Sequence, residues 1–440
     1  MLNFIKYPAR KSWTEILKRP AIDSYLLEEK VSAILNDVKQ NGNAALQKYS
    51  LQFENVDFNP NPLSFGEGRG EAAVPKELKS AIQLAKRNIE KFHNAQKEKI
   101  KIVETTKGVK CWRKSVPIEK IGLYIPGGSA PLFSTILMLG IPAKIAGCKE
   151  IILCTPTPLS FGKGVGGEAI LYVAKRLGIK KVFKVGGAQA IGAMAYGTET
   201  IPKVNKIFGP GNQYVTCAKQ LIQKDGIAID MPAGPSEVAV LADKTCVPAF
   251  VASDLLSQAE HGADSQVILV SDSENVISEV QKEISIQFEK LPRKEIAVKA
   301  LANSKAILVK NKNEAIDLLN EYAPEHLILA CRDADKLTGK IINAGSVFIG
   351  NYSPESAGDY ASGTNHTLPT NGYAKSYSGV SLDSFVKKIT FQKLSKDGLK
   401  KIGKAVELMA EAEGLHAHKN AVALRTSATD GNTITKKKKR

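Results

Sequence analysis

The chain has 440 residues with an ordinary globular composition, 43% hydrophobic and 24% charged, so it is long enough for two or three domains with real cores. No apolar run approaches the length of a membrane span, and Met1 to Lys11 lacks the hydrophobic core of a signal peptide, so the chain reads as cytoplasmic. The net charge of +17 comes from scattered lysines and a terminal Lys436 to Arg440 run, without the aromatic or glycine modules of a nucleic-acid binder; it reads as a basic solvated surface.

Residues 1–20 read as a short N-terminal arm punctuated by Pro8 and Pro20. Helical patterns follow from Tyr25 to Tyr49 and from Lys76 to Glu98, separated by a Gly/Pro loop. That loop, Pro62 to Ala72, has a near copy at Pro158 to Ala169; nothing around either copy repeats, so both read as inserted surface loops. The second copy spells G-x-G-x-x-G at Gly162, Gly164 and Gly167. It reads as a decoy for a dinucleotide fingerprint, because Pro156-Thr-Pro158 separates it from its strand and no acid stands about 20 residues on.

From residue 121 the grammar alternates strand and helix. Strands are predicted at Ile121–Ile125, Glu150–Cys154, Lys181–Val185 and Lys206–Phe208, with helices at Leu132–Ala146, Ala169–Leu177, Ala188–Ala195 and Gln213–Gln223. A second series runs through Glu237–Leu241, Gln266–Ser271, Ala306–Val309, His326–Ala330 and Ser346–Gly350. The fold class is therefore α/β, with two doubly wound sheets and ligands expected near the carboxyl ends of strands. The expected organisation is a first domain of residues 21–120 and 237–380, a second of 121–236, a helical C-terminal segment over 381–425 and a polar tail over 426–440. Six cysteines without a C-x-x-C pair suit reduced thiols.

Within the second series, Ser253 to Asp264 reads as an amphipathic helix stopped by Gly262. Gln258 and His261 share one face of its last turn, which suits either two corners of a metal site or the polar end of a capped surface helix. Asp359 follows a strand and is expected in a loop at its carboxyl end. His416 and His418 are two apart and cannot both point at one metal from a single helical turn.

The turns Gly122-Leu-Tyr-Ile-Pro-Gly-Gly128, Val185 to Gly192, Phe208-Gly-Pro-Gly-Asn-Gln-Tyr-Val215 and Asp230 to Glu237 resemble the signature turns of the histidinol dehydrogenases. So do Gln258-Ala-Glu-His261, Glu321-Tyr-Ala-Pro-Glu-His326, Ser356-Ala-Gly-Asp359, Gly363-Thr-Asn-His366 and Glu413-Gly-Leu-His-Ala-His418, in the family's order. The resemblance covers residues 20–425; the two glycine-rich loops and the lysine tail lie outside every motif. It implies two incomplete Rossmann-like domains of the aldehyde dehydrogenase kind. It also implies a zinc enzyme that oxidises L-histidinol to L-histidine through histidinal with two NAD+, the last step of histidine biosynthesis.

The zinc ligands it implies are Gln258, His261, Asp359 and His418, and the catalytic pair is Glu325 and His326. Ser236, His366 and Glu413 join these ligands and His326 around the substrate, and Tyr124, Gln189 and Asn212 touch the nucleotide. The residue types agree with that chemistry. Alcohol oxidation requires a base near neutral pKa, which an imidazole provides, and a carboxylate can activate the water that adds to an aldehyde. Two imidazoles, a carboxylate and an amide oxygen form a borderline donor set suited to zinc. The resemblance further implies a homodimer in which the C-terminal segment, with His418, completes the partner's site. The nearest alternative is a related zinc and NAD dehydrogenase for another amino or sulfonated alcohol, which Ser236, His366 and Glu413 argue against. An RNA-binding alternative built on the +17 charge would require steep salt dependence.

Overall fold

The computed structural model describes residues 2–20, 24–63, 74–127, 132–156 and 166–428. Most of both glycine-rich loops, including Gly162 and Gly164 of the decoy motif, and the lysine tail lie outside the described residues. The chain divides into two compact units, Met1–Gln96 with Ile118–Phe385, and Lys97–Pro117 with Val386–Arg440.

The first unit holds two parallel sheets. Strands β4 (Lys120–Tyr124), β5 (Glu150–Thr155), β6 (Lys181–Lys184), β7 (Lys206–Phe208) and β8 (Ala228–Ile229) lie in the order β6-β5-β4-β7-β8. Strands β9 (Glu237–Ala242), β10 (Gln266–Ser271), β11 (Lys305–Leu308), β12 (His326–Ala330) and β13 (Ser346–Ile349) repeat that winding as β11-β10-β9-β12-β13. Both orders are the doubly wound pattern whose direction reverses beside the first strand, between β4 and β7 and between β9 and β12. The strands are apolar runs buried on both faces, as β9 (EVAVLA) shows, because helices cover each side of each sheet.

Two expectations are sharpened or corrected. Residues 1–20, read as a short arm, are built into the fold: β1 (Asn3–Lys6) adds a sixth parallel strand against β11, and Trp13 and Leu17 are buried in the core beneath that sheet. Residues 21–120 were expected to join 237–380. Instead, the segment Ser24–Glu54, helical with a kink at Gly42, packs Val31, Leu35 and Val38 onto the helices Gly187–Tyr196 and Gln213–Ile222 on one side of the β4–β8 sheet. Helix Lys76–Asn94 packs Ile82, Ala85 and Ile89 onto helix Phe133–Ala146 on the other side. An amphipathic helix carries an apolar face but no label for the sheet it must cover, and here the sheet of residues 121–236 had both faces to fill.

The C-terminal segment is helical, as expected, over Lys396–Ala412 and His416–Ser427, and a strand precedes those helices. Its first stretch, β14 (Val386–Leu394), pairs antiparallel along its whole length with β3 (Val109–Pro117), and β2 (Val103–Thr106) completes a three-stranded sheet. Trp112 and Phe391 stack across it with centroids 5.6 Å apart. These strands and helices Lys396–Ala412 and His416–Ser427 make up the second unit.

Candidate active site

The site grows from the amino ends of β9 and β12, which are neighbours with His326 opposite Val238. Glu237 opens β9, and its main chain ties three side chains together. Its N–H donates to Glu325 Oε2 at 2.9 Å. The Gln258 amide is oriented by its neighbours, since only one of its two orientations satisfies both ends: its nitrogen then donates to Glu355 Oε1 at 3.1 Å and its oxygen accepts the same Glu237 N–H at 3.0 Å. The Glu237 carbonyl faces His326 Nδ1 at 3.1 Å. A proton on Nδ1 makes Nε2 the lone-pair nitrogen of the neutral ring. That Nε2 is buried, has no hydrogen-bond partner, and lies 3.5 Å from Asp359 Oδ1.

Helix Pro248–Ala259 supplies Gln258 from its last turn, as expected, but His261 stands just beyond its end, where its N–H still donates to the Gln258 carbonyl. The ring is exposed at the rim, and desolvation by the surrounding wall still holds its pKa below the ordinary value. Asp359 also departs from expectation: it sits in helix Glu355–Tyr360, which turns back from the carboxyl end of β13 to the amino end of β12. His366 has both nitrogens engaged, Nδ1 with the Asp359 carbonyl at 2.9 Å and Nε2 with Thr135 Oγ1 at 3.1 Å. Ser236 is half-buried, one residue before Glu237. Glu413 and His418 belong to the second unit and are exposed there.

The sequence reading missed two acids. Glu355 accepts from Ser257 Oγ at 2.6 Å, and its second oxygen is buried without a partner. Asp254 is buried in the same helix as Gln258. A signal for Asp254 existed: it stands four residues before Gln258 and three after Val251, a carboxylate on a face otherwise turned to the core. Burial pushes Glu325 and Glu355 up to about 8 and Asp254 up to about 7. For His326, burial acts downward, but the carboxylates of Glu325, Asp359 and Glu355 outweigh it and raise the imidazole to about 10. The near-neutral base expected from sequence is therefore not what these side chains alone produce. The cluster is rich in buried carboxyl groups and holds unpartnered oxygen and nitrogen atoms, and both features fit a bound divalent cation, which would lower the pKa values of its neighbours. Among the described residues, the grouping of three His, Cys or acidic ligand atoms lies elsewhere, at Asp243, Cys331 and Asp333. Lys312 Nζ already neutralises that group, at 2.7 Å from Asp243 and 2.6 Å from Asp333.

The nucleotide candidates gather at the opposite ends of the other sheet. Tyr124 closes β4, Gln189 lies in helix Gly187–Tyr196 after β6, and Asn212 caps helix Gln213–Ile222 after β7. All three line a cavity of about 920 Å³ with Tyr49, Phe53 and Pro126. The Tyr124 hydroxyl accepts from the Gly187 N–H at 3.1 Å, and Gln189 Oε1 is buried without a partner. Gly209 adopts φ +127°, and a Cβ there would run into the Tyr124 carbonyl oxygen, so the turn takes glycine on both counts. Its turn is locked from beneath: buried Lys219 pairs with Asp230 and donates to the Gly209 carbonyl at 2.9 Å, while Asp230 accepts the Gly209 N–H at 2.8 Å.

Residues 17–426 match the family model described as histidinol dehydrogenase. The chain belongs to that family. It is 58% identical over 426 residues to the histidinol dehydrogenase of Bacteroides thetaiotaomicron, covering 97% of this chain and 99% of the relative. It is 52% identical to that of Pectobacterium atrosepticum, over 94% and 93% of the two chains. The crystal structure of histidinol dehydrogenase from Elizabethkingia anophelis aligns over 96% of this chain and 98% of its own with a TM-score of 0.92 and 56% identity. Like the family, this chain is an oxidoreductase enzyme with an α/β fold of parallel sheets, and no described helix is long and apolar enough to cross a membrane.

Proposed function

We propose that this protein oxidises L-histidinol to L-histidine through histidinal, with two NAD+, as a step of histidine biosynthesis. The observation that carries the reading is the locked His326. Its Nδ1 faces the Glu237 carbonyl and its Nε2 is left buried and unpartnered among carboxylates, the arrangement a general base needs.

In the first oxidation His326 Nε2 takes the hydroxyl proton of the alcohol as the carbinol hydride leaves. In the second, Glu325 draws a proton from the water that adds to the aldehyde, and His326 accepts the hydroxyl proton of the resulting hydrate. Ser236, His366 and Glu413 hold the substrate's polar groups, and burial of Glu325 and His326 keeps bulk water from competing. NAD+, when bound by Tyr124, Gln189 and Asn212, supplies the hydride acceptor. Gln258, His261, Asp359 and His418 would hold one zinc ion, which would supply positive charge to the carboxyl-rich cluster and orient the substrate's nitrogens.

Exposed Leu408, Met409, Leu415 and Leu424 on the C-terminal helices, beside exposed Glu413 and His418, support a homodimer in which this segment docks on the partner's site. All six cysteines are free, which supports the cytoplasm as the compartment.

The deciding experiment is NADH production from L-histidinol by the purified protein, with and without chelator. Two NADH per histidinol, loss on chelation and recovery with zinc are expected; turnover that survives exhaustive chelation rejects the metal. His261→Ala should lose zinc and activity together. Refolding His326→Ala and His418→Ala chains together restores activity if the site is shared between subunits, and restores none if each chain completes its own.

A further inference from the structure

The Glu237 main chain fixes Glu325, His326 and Gln258, and the side chain of Glu237 is in turn held from a distant part of the sequence. Arg19 meets it with a two-pronged contact, Nε to Oε1 at 2.5 Å and Nη2 to Oε2 at 2.8 Å. The Asn371 N–H also donates to Oε1, at 2.7 Å. The same Arg19 Nη2 donates to the Tyr322 carbonyl at 2.7 Å, and the guanidinium lies 4.0 Å over the Tyr322 ring. Tyr322 ends the helix whose left-handed cap, Ala323 at φ +51°, turns the chain into Pro324-Glu325-His326. A left-handed alanine is a disfavoured conformation and needs support from its surroundings. Arg19 therefore grips both structures that aim the catalytic pair: the start of β9 from one side and the turn before β12 from the other. The ion pair is part-buried, with side-chain exposures of 15% for Arg19 and 3% for Glu237, so it is largely shielded from water.

We propose that Arg19 is a positioning residue for the Glu325–His326 pair, which makes the N-terminal segment part of the catalytic framework. The inference rests on the functional reading above for its activity arm alone. Its second arm reads His326 directly. In protein labelled with ¹⁵N at histidine, the wild type should give a His326 ring with the proton on Nδ1. Arg19→Gln should shift or broaden the His326 ring signals while those of His93, whose ring is held by the Ile89 carbonyl of its own helix, stay in place. Its kcat for L-histidinol should fall on the order of tenfold with the KM for NAD+ within about twofold. Arg19→Lys keeps the charge but not the fork, so it should fall between wild type and Arg19→Gln in both readouts. It also serves if Arg19→Gln does not fold. Unmoved His326 signals and unchanged kcat in either folded variant overturn the proposal, and so does a lowered melting temperature with His326 untouched, which would make Arg19 merely structural. If the wild type does not oxidise histidinol, the functional reading fails, yet the ring signals still decide whether Arg19 positions His326.

Discussion

The two parallel sheets share a winding order and differ in the end they use. The β4–β8 sheet offers its carboxyl ends, where loops enter helix N-termini and a broad, partly apolar cavity opens over Tyr124 and Gly187. Its one deeply buried charge pair, Lys219 with Asp230, is fully engaged with the Gly209 main chain. The β9–β13 sheet offers its amino ends, where the Glu237 N–H and carbonyl are given to Glu325, Gln258 and His326. Its buried charges are mostly carboxyl groups, with unpartnered atoms on His326 and Glu355. The difference suits the two tasks proposed above. A nucleotide is a large ligand that needs a firm, complementary cradle, whereas proton transfer needs groups whose protonation states are poised close together. The first keeps its buried charges paired, with only the uncharged Gln189 Oε1 among its named groups left open, whereas the second leaves a carboxyl oxygen and an imidazole nitrogen unpartnered.

That contrast can be broken at four points. His326→Ala removes the base at the amino ends, and kcat should fall by up to about 10⁴-fold. NAD+ affinity, proposed to be set at the other sheet, should stay within about twofold; its loss would mean that the two ends are not separate. Lys219→Met strands buried Asp230, and denaturant unfolding should register at least about 3 kcal/mol of lost stability. Lys219→Met with Asp230→Leu should recover much of that, and a single variant as stable as wild type would show the pair to be dispensable. Tyr124→Phe deletes only the acceptor for the Gly187 N–H. NAD+ affinity should weaken about fivefold, on the order of 1 kcal/mol, with the chemical step intact in single-turnover kinetics.

The smallest effect concerns pH. The base works unprotonated, so kcat/KM should rise with pH through the His326 titration. Glu355 is one of the carboxylates that raise His326, so Glu355→Gln should lower that pKa and move the rising limb to lower pH. Because burial already holds Glu355 near 8, its charge is present only on the alkaline side, and the shift should be a fraction of a unit. An upward shift would show that Glu355 does not act on His326 through its charge.

Much of this was legible. Every strand of the two parallel sheets from β4 onward, apart from two-residue β8, was predicted within a residue or two at each end, because apolar runs between Gly/Pro turns are local signals. Gln258, Glu325, His326 and Asp359 were legible as motif residues, and the structure brings them together around Glu237. β14 was not legible: Val-Lys-Lys-Ile-Thr-Phe-Gln-Lys-Leu is as polar as a surface helix, and its strand form depends on pairing with β3, more than 260 residues away in the chain. β1 was missed for the same reason, since a four-residue edge strand exists only because β11 is there to receive it.

The sequence by itself determined which segments are strands and helices in the two doubly wound halves, and which turns resemble the family's. Those properties reside in the period of the side chains and in the few residues that tolerate a tight turn. Only the tertiary structure decided which helices cover which sheet, that Glu325 and His326 stand at strand amino ends, and that Arg19 holds the side chain of Glu237, whose main chain they meet. Hydrophobic burial has no direction, so an apolar face does not name its partner. A buried polar group, by contrast, accepts only a partner at hydrogen-bond distance, and that distance exists only once the chain has closed.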